Sequence, residues 1–456
     1  MLQIIDHFFE NLSGWIWGWP MIIILFGCHI FLTIRLRFPQ RKLLTGIKLS
    51  VSKDDGADGD VSQFGALVTS LAATIGTGNI IGVATAVALG GPGAVMWCWM
   101  LGILGIATKY AESLLSVKYR VKGSDGKMIG GPMYAIERGM GSNWKWLAVL
   151  FAIFTALASF GIGGSVQSNA FATVMNDTIG LPKYISGILI TAAVAWVTIF
   201  GVKAIANVCA KLVPFMTVLY LGGCIYILFA NGSYVGSAIQ LIVSSAFTPQ
   251  AAGGGFVGAA VITAARYGIA RGLFSNESGM GSAPIVAAAA KSRNPVRQAL
   301  ISSTGTFWDT VVICAITGIV LVSSVLAHPD VDSTQGGLLT QIAFAKIPYV
   351  GPYILMFCIA TFSFSTILGW SYYAEKAVQY LGGMKIIKWF RIVWVSVVFL
   401  GAVMNLSVVW NVADVMNAFM TIPNIISLVV LSGVIASETK HYLWNGNLDE
   451  NSHNEE

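Results

Sequence analysis

Charge is the scarcest property of this sequence: Asp, Glu, Lys and Arg make up 11% of it, against 55% hydrophobic residues. An average soluble domain carries about 25% charged residues. A water-soluble fold of 456 residues with so little polar surface would not stay dispersed, and the mean hydropathy of +0.73 points to an integral membrane protein. Paired cysteines are lacking too. Cys28, Cys98, Cys209, Cys224, Cys314 and Cys358 stand singly in apolar stretches, where a thiol packs as a small apolar residue, so redox or metal chemistry is not expected. The histidines at 7, 29, 328, 441 and 453 show no metal-ligand spacing. No Ser/His or Cys/His grouping is apparent, which argues against an enzyme. Segments of alternating polarity, the mark of a membrane barrel, are missing as well. The first apolar stretch follows Asp6 and Glu10 and not a basic n-region, so no cleavable signal peptide is expected. Nor is the net charge of +6 a nucleic-acid signature, because its lysines and arginines gather in one set of loops.

What the chain has in abundance is long apolar runs. Windows of about twenty apolar residues place spans near 15–37, 64–88, 92–118, 146–175, 184–201, 206–230, 255–290, 298–327, 349–380, 387–406 and 410–436. The expectation is an all-α integral membrane protein of about eleven transmembrane helices, one N-terminal helix followed by ten. The stretches 238–247 and 338–346 are too short to span and read as outer surface helices.

Loop charges test that count, because cytoplasmic loops collect Lys and Arg. The first connection holds Arg35, Arg37, Arg41, Lys42, Lys48 and Lys53; the third holds Lys118, Arg120, Lys122, Lys127, Arg138 and Lys145. Later connections of the same parity hold Lys203 and Lys211, then Lys291, Arg293 and Arg297, then Lys376, Lys385, Lys388 and Arg391. The opposite loops hold little beyond Lys183 and Lys346, and 231–254 carries no charge. The alternation puts the N-terminus outside and the acidic tail (Asp449, Glu450, Glu455, Glu456) in the cytoplasm.

Two glycine-rich breaks interrupt the apolar segments: Ile75-Gly76-Thr77-Gly78-Asn79, and Ser275-Asn276-Glu277-Ser278-Gly279-Met280-Gly281-Ser282. A bilayer offers no water to a loose backbone, so a helix unwinds there only where freed amides and carbonyls face a partner or a cavity. Both breaks follow a similar phrase, Gly65-Ala66-Leu67-Val68-Thr69 in one half and Gly258-Ala259-Ala260-Val261-Ile262-Thr263 in the other. Five spans per half would insert the halves in opposite orientations, an inverted repeat with its site at the breaks, as in secondary transporters. The predicted organisation is 1–54, an N-terminal helix and cytoplasmic loop; 55–235, the first repeat; 236–436, a surface helix and the second repeat; and 437–456, the tail.

At Gly76–Asn79 the broken turn frees backbone N–H groups where a helix dipole favours a carboxylate. The preceding half-helix ends in carbonyls suited to a small cation or an ammonium group. The bland alternative is close helix packing through small residues. Ser365 and Thr366, in Thr361-Phe362-Ser363-Phe364-Ser365-Thr366, offer hard oxygen ligands for Na⁺, or else back-bond to their own helix. Gln167 and Asn169 either line a pore or glue helices together. Glu277 either lines the cavity or, as is expected, pairs with Arg271 or Arg266, since an intramembrane carboxylate needs a partner. Lys109 and Glu112 read as an interfacial pair at the cytoplasmic end. Asp309 and Asp414 are lone membrane-region acids and functional candidates by default, Asp309 for gating or proton carriage. Trp15, Trp17 and Trp19 read as an interface belt.

The run Gly78-Asn79-Ile80-Ile81-Gly82-Val83-Ala84-Thr85-Ala86, followed by Gly90-Gly91-Pro92-Gly93-Ala94-Val95-Met96-Trp97-Cys98-Trp99, resembles the alanine/glycine:cation symporter family. So do Ala107-Thr108-Lys109-Tyr110-Ala111-Glu112, Gly130-Gly131-Pro132-Met133-Tyr134, Gly272-Leu273-Phe274-Ser275-Asn276-Glu277 and Gly369-Trp370-Ser371-Tyr372-Tyr373. The resemblance covers essentially the whole chain. Met96 and Cys98 depart from the usual phenylalanine and methionine, both apolar exchanges. The resemblance implies an amino acid–polyamine–organocation type fold, a five-plus-five inverted repeat with one extra N-terminal helix. It further implies import of alanine or glycine coupled to Na⁺, or to H⁺ in some members, in a bacterial plasma (inner) membrane. The backbone at Thr77, Gly78 and Asn79 would hold the substrate carboxylate. Carbonyls of Ala72 and Ile75 with hydroxyls of Ser365 and Thr366 would hold Na⁺. Gln167, Phe274, Ser275, Asn276 and Trp370 would complete the pocket. By the same resemblance Na⁺ would be the coupling ion, no other cofactor is implied, and a monomer is expected to function.

Overall fold

The computed structural model describes residues 2–52, 58–249, 256, 260–329, 333–404 and 407–452, with backbone alone at 2–5, 407 and 408. Lys53, residues 250–254 of the uncharged connection, Gly258 and Ala259 of the second opening phrase, and Glu455 and Glu456 lie outside the described residues.

The chain is helical, and its apolar runs become its helices. Helix α1 (Leu2–Ile16) meets α2 (Trp19–Arg35) in a 41° bend. Pro20 restarts the chain there at an early helical position, where its missing N–H costs nothing. The first broken segment is α3 (Gln63–Thr74), a π-helical turn at Gly78–Gly82, and α4 (Val83–Gly90), with 50° between its halves. Ser62 opens α3 by accepting the Gly65 N–H at 3.0 Å, which satisfies one of the orphan amides of a helix start. Then come α5 (Gly93–Lys118), α6 (Lys145–Ala158) running through a π turn at Ser159–Ser165 into α7 (Val166–Ile179), α8 (Lys183–Ile199), α9 (Val202–Ala230) and α10 (Gly232–Phe247). The second half holds α11 (Val261–Asn276), α12 (Pro295–Thr306), a π turn at Phe307–Cys314, α13 (Ala315–Ala327), α14 (Gly336–Phe344), α15 (Gly351–Gly382), α16 (Ile387–Val403) and α17 (Ser407–Val430).

Among the described residues, seven helices are long and apolar enough to cross a membrane, or up to nine if each bent pair is one span. The expected number was about eleven. Two of the expected spans account for the difference. Helix α8 has 17 residues, at the short end of the length that crosses a bilayer. Helix α11 has 16 residues, carries Arg266 and Arg271, and unwinds at Glu277. The short stretches expected to lie flat are indeed separate helices, α10 and α14.

Helix α5 is the hub. It packs against α11, α12, α2 and α10, and the half of it from Gly105 to Val117 is buried throughout. The broken segments also meet at their far ends: Lys291 N donates to Val61 O at 2.8 Å, and Asp60 N donates to Ala289 O at 2.8 Å. Chain entering the first break is thereby pinned to chain leaving the second. The π turn at Gly78–Gly82 falls in the break read from the sequence, whereas the one at Phe307–Cys314 contains no glycine to mark it. Such turns cluster at functional sites because they widen a helix and free its carbonyls.

Candidate functional site

At the first break, Ile75 leaves helical geometry (φ −73°, ψ 92°). Gly76 N, which would have closed the last turn onto Ala72, instead donates to Asn79 Oδ1 at 2.9 Å. The Ala72 carbonyl is therefore released from its helix, and Thr366 Oγ1 on α15 donates to it at 3.1 Å. Gly76 permits the approach: a Cβ there would stand 2.5 Å from Thr366 Oγ1. Ala72, Ile75, Thr366 and Ser365 are all buried. Ser365 is committed elsewhere, its hydroxyl donating to Phe362 O at 2.9 Å within its own helix.

Beyond the break the pocket residues fall into two groups. Thr77 Oγ1 donates to Gln167 Oε1 at 3.1 Å, bringing in α7. On the other side, Gly78 faces α11 so closely that a Cβ would lie 3.0 Å from Phe274 Cδ1 and 3.4 Å from Ser275 Cα. Phe274 in turn leans on Trp410 with ring centroids 5.8 Å apart. Trp370 is fully buried against Tyr373, ring centroids 5.6 Å apart, and abuts Gly163 of the π turn. The Asn276 amide donates to Thr310 Oγ1 at 3.1 Å while its Oδ1 accepts the Ser278 N–H at 2.8 Å, so this side chain serves the break itself. Asn169 bonds the carbonyls of Gly401 and Met404 at 3.0 Å each, the helix-gluing alternative.

The residue that joins the two breaks is Asp309, in the π turn between α12 and α13. Its carboxylate accepts from Asn79 Nδ2 at 2.8 Å, Ser275 Oγ at 2.8 Å and Thr310 Oγ1 at 2.7 Å, and the side chain is 0% exposed. A carboxylate taken out of water needs such donors. The sequence offered Asp309 as a lone intramembrane acid but no sign of these partners.

The second break is held by charge. Glu277 occupies left-handed backbone at φ 57°, a conformation few side chains adopt without outside support. Its carboxylate accepts from Ser282 Oγ at 2.6 Å; among the described residues it forms no ion pair with Arg271 or Arg266, contrary to expectation. Glu112 serves the same break. It is 3% exposed and accepts the amides of Gly279 at 2.9 Å and Gly281 at 3.0 Å and the Asn424 side chain at 2.6 Å. Lys109, 2% exposed, has no hydrogen-bond partner for its ammonium group among the described residues and lies in electrostatic reach of Glu112, Glu277 and Asp309. Lys109 and Glu112 are thus part of a buried cluster under the second break. Asn424, unflagged in the sequence, completes it by donating to Gly279 O at 2.8 Å.

The first break is thus a π-widened broken helix whose released carbonyl meets a hydroxyl, beside a second break tied to it by one carboxylate. Residues 2–456 match the sodium:alanine symporter family. The chain belongs to this family. It is 48% identical over 443 residues to an uncharacterized transporter of Haemophilus influenzae, covering 96% of each chain. It is 46% identical over 439 residues to the sodium/alanine symporter AgcS of Methanococcus maripaludis, covering 95% of this chain and 96% of that one. Among solved structures, MhsT in complex with L-phenylalanine superposes with a TM-score of 0.59 at 16% identity, over 84% of this chain and 99% of that one. The chain thus shares the fold of MhsT, and it is a multi-pass membrane protein of a transporter family.

Proposed function

We propose that this protein imports alanine and/or glycine by symport with Na⁺ through alternating access. The observation that carries the proposal is the junction of Thr366 with the released Ala72 carbonyl at 3.1 Å, beside Gly76. It is a cluster of hard oxygen atoms, the donor type that alkali and alkaline-earth cations take, and it spans two separate helices. Na⁺ at Ala72, Ile75, Ser365 and Thr366 would tie α3 to α15 and stabilise one conformation; an ion with equal affinity for both would shift nothing. The backbone of Thr77, Gly78 and Asn79 would take the substrate carboxylate. Gln167, Phe274, Ser275, Asn276 and Trp370 would close around a small side chain and exclude larger ones by overlap. Family membership and the name of the AgcS relative, a sodium/alanine symporter, support the same ion and solute.

In this proposal about eleven spans form one N-terminal helix and a five-plus-five inverted repeat. The loop charges support an external N-terminus and a cytoplasmic C-terminus in a bacterial inner membrane, with the monomer as the working unit. A second reading keeps the fold but uses H⁺ or carries another small neutral amino acid. Asp309 favours it, as a fully buried carboxylate bonded to both breaks. Competition of labelled alanine uptake by a panel of amino acids, with and without Na⁺, separates the two. The first reading requires that alanine or glycine compete best and that uptake fall without Na⁺. Equal uptake in Na⁺-free buffer, or stronger competition by another solute, favours the second.

A further inference from the structure

Lys109 sits well inside α5, which runs on to Lys118 at its C-terminal end. That end is about 13 Å further along the axis. Its side chain is too short to carry the ammonium group out to the headgroups, the usual resort of a lysine in a membrane helix. It is buried, and its ammonium forms no hydrogen bond and no ion pair among the described residues. Around it lie the buried carboxylates of Glu112, Glu277 and Asp309, all in electrostatic reach of the ammonium. Glu112 and Asp309 also act on Glu277, so the like charges feel one another.

Each carboxylate is already engaged with a break. Glu112 Oε1 alone accepts from Gly279, Gly281 and Asn424, while Oε2 has no partner among the described residues. Glu277 Oε2 accepts from Ser282, and Asp309 links Asn79 to Ser275. The backbone they hold is unusual: Glu277, Gly279 and Gly281 have φ of 57°, 98° and 80°. Helix α5 flanks this stretch on one side. A Cβ on Gly105 would lie 3.1 Å from Ser278 Cβ, and Ser116 Oγ donates to Pro284 O at 2.7 Å. Helix α2 closes the other side, where a Cβ on Gly279 would stand 2.8 Å from Leu25 Cδ2 and 3.6 Å from His29 Cε1.

One ammonium thus serves three carboxylates in an enclosed space, where charges act more strongly than in water. Had Lys109 bonded to one of them, its charge would be committed there. A compact charge on a flexible stem is suited to the shared role. A hydrogen bond weakens steeply when its geometry is lost, whereas a Coulomb interaction falls only as the inverse of distance. The ammonium therefore keeps its effect when the break shifts. We propose that Lys109 is a positioning residue for transport, the shared counter-charge that lets Glu112 and Glu277 hold the second break, and Asp309 join it to the first, while the break changes shape. This rests on the proposal that the chain works by alternating access.

The test is a double-mutant cycle on the full chain: Lys109→Met, Glu277→Gln and the two combined. It is read as initial-rate alanine uptake in proteoliposomes at saturating Na⁺ and as the melting temperature of the purified protein. Methionine keeps the stem without the charge, and glutamine can still accept from Ser282. Alone, Lys109→Met should lower the melting temperature and cut uptake at least about tenfold, within the range of coupled buried groups. Added to Glu277→Gln, it should cut uptake no more than about threefold, because the excess of carboxylates over ammonium is then that of the wild type. A side chain that only fills space loses the same in both backgrounds. An equal loss of uptake in the two, including failure of both Lys109→Met proteins to fold, overturns the proposal, as does wild-type behaviour of the single variant. A single variant that does not fold beside a combined one that does supports it. If the unaltered protein takes up no alanine with Na⁺, the symport proposal fails by itself, and the melting cycle still decides whether Lys109 is the counter-charge.

Discussion

Replacing Thr366 by alanine probes the ion proposal at one atom. Its hydroxyl donates to Ala72 O at 3.1 Å and has Gly76 closely packed beside it, so removal takes an oxygen from the cluster with little change elsewhere. If that oxygen contacts Na⁺, its loss resembles the loss of a hydrogen bond to a charged group, about 1.5–3 kcal/mol. At about 1.4 kcal/mol per factor of ten, the Na⁺ concentration for half-maximal alanine uptake should rise about 10- to 100-fold. Uptake at saturating Na⁺ should change far less, because the substrate contacts are untouched. Thr366→Ser keeps the hydroxyl and should restore most of the Na⁺ affinity. The assay is initial-rate uptake in proteoliposomes over a Na⁺ titration for all three proteins. An alanine variant that transports with an unchanged Na⁺ dependence removes Thr366 from the ion site.

Asp309→Asn substitutes an amide that can no longer accept from both Asn79 and the Ser275 and Thr310 hydroxyls; with a charged-group hydrogen bond worth about 1.5–3 kcal/mol, uptake at saturating Na⁺ should fall about tenfold or more, and wild-type rates would show that this bridge is not used. Glu112→Ala strands the buried amides of Gly279 and Gly281 and the Asn424 side chain, at about 1–3 kcal/mol for each unmet donor. The purified protein should therefore melt at a lower temperature, and an unchanged melting curve would refute the bracing role. On the basic face, Tyr380 donates to Glu137 at 2.7 Å and Lys145 pairs with it at 2.9 Å. The Tyr380 hydrogen bond, opposed by partial burial and aided by Lys145, holds the Glu137 carboxyl below its ordinary range. A depressed carboxyl pKa stabilises the fold above the unfolded value of about 4.3 and loses that contribution as pH falls through the folded value. Tyr380→Phe should thus lower the melting temperature at pH 7 and have a diminishing effect below about pH 4; a melting difference independent of pH contradicts the assignment.

The membrane class and the two breaks were legible because they depend on local composition: apolar length sets a span, and paired glycines in a bilayer demand a reason. The junction of Gly76 with Thr366 was half legible. Both residues stood out in the sequence, but a contact between positions so far apart rests on the packing of α3 against α15. Asp309 and Glu112 show where sequence reading stops. Each is marked as unusual by its charge in an apolar stretch, and each has its role set by donors from other helices, including Asn424, which has no local signature. Glu277 shows the opposite risk. A nearby arginine in sequence suggested a partner, whereas the left-handed turn at Glu277 goes with a carboxylate bonded to Ser282, and Arg271 lines a cavity with Phe274 and Asp414.

The most direct test of the central claim is accumulation of labelled alanine by proteoliposomes holding the purified protein under imposed gradients. Symport with Na⁺ predicts that an inward Na⁺ gradient drives alanine above its external concentration and that a Na⁺ ionophore abolishes the accumulation. Uptake that only equilibrates, indifferent to both the Na⁺ gradient and an imposed pH gradient, would contradict it.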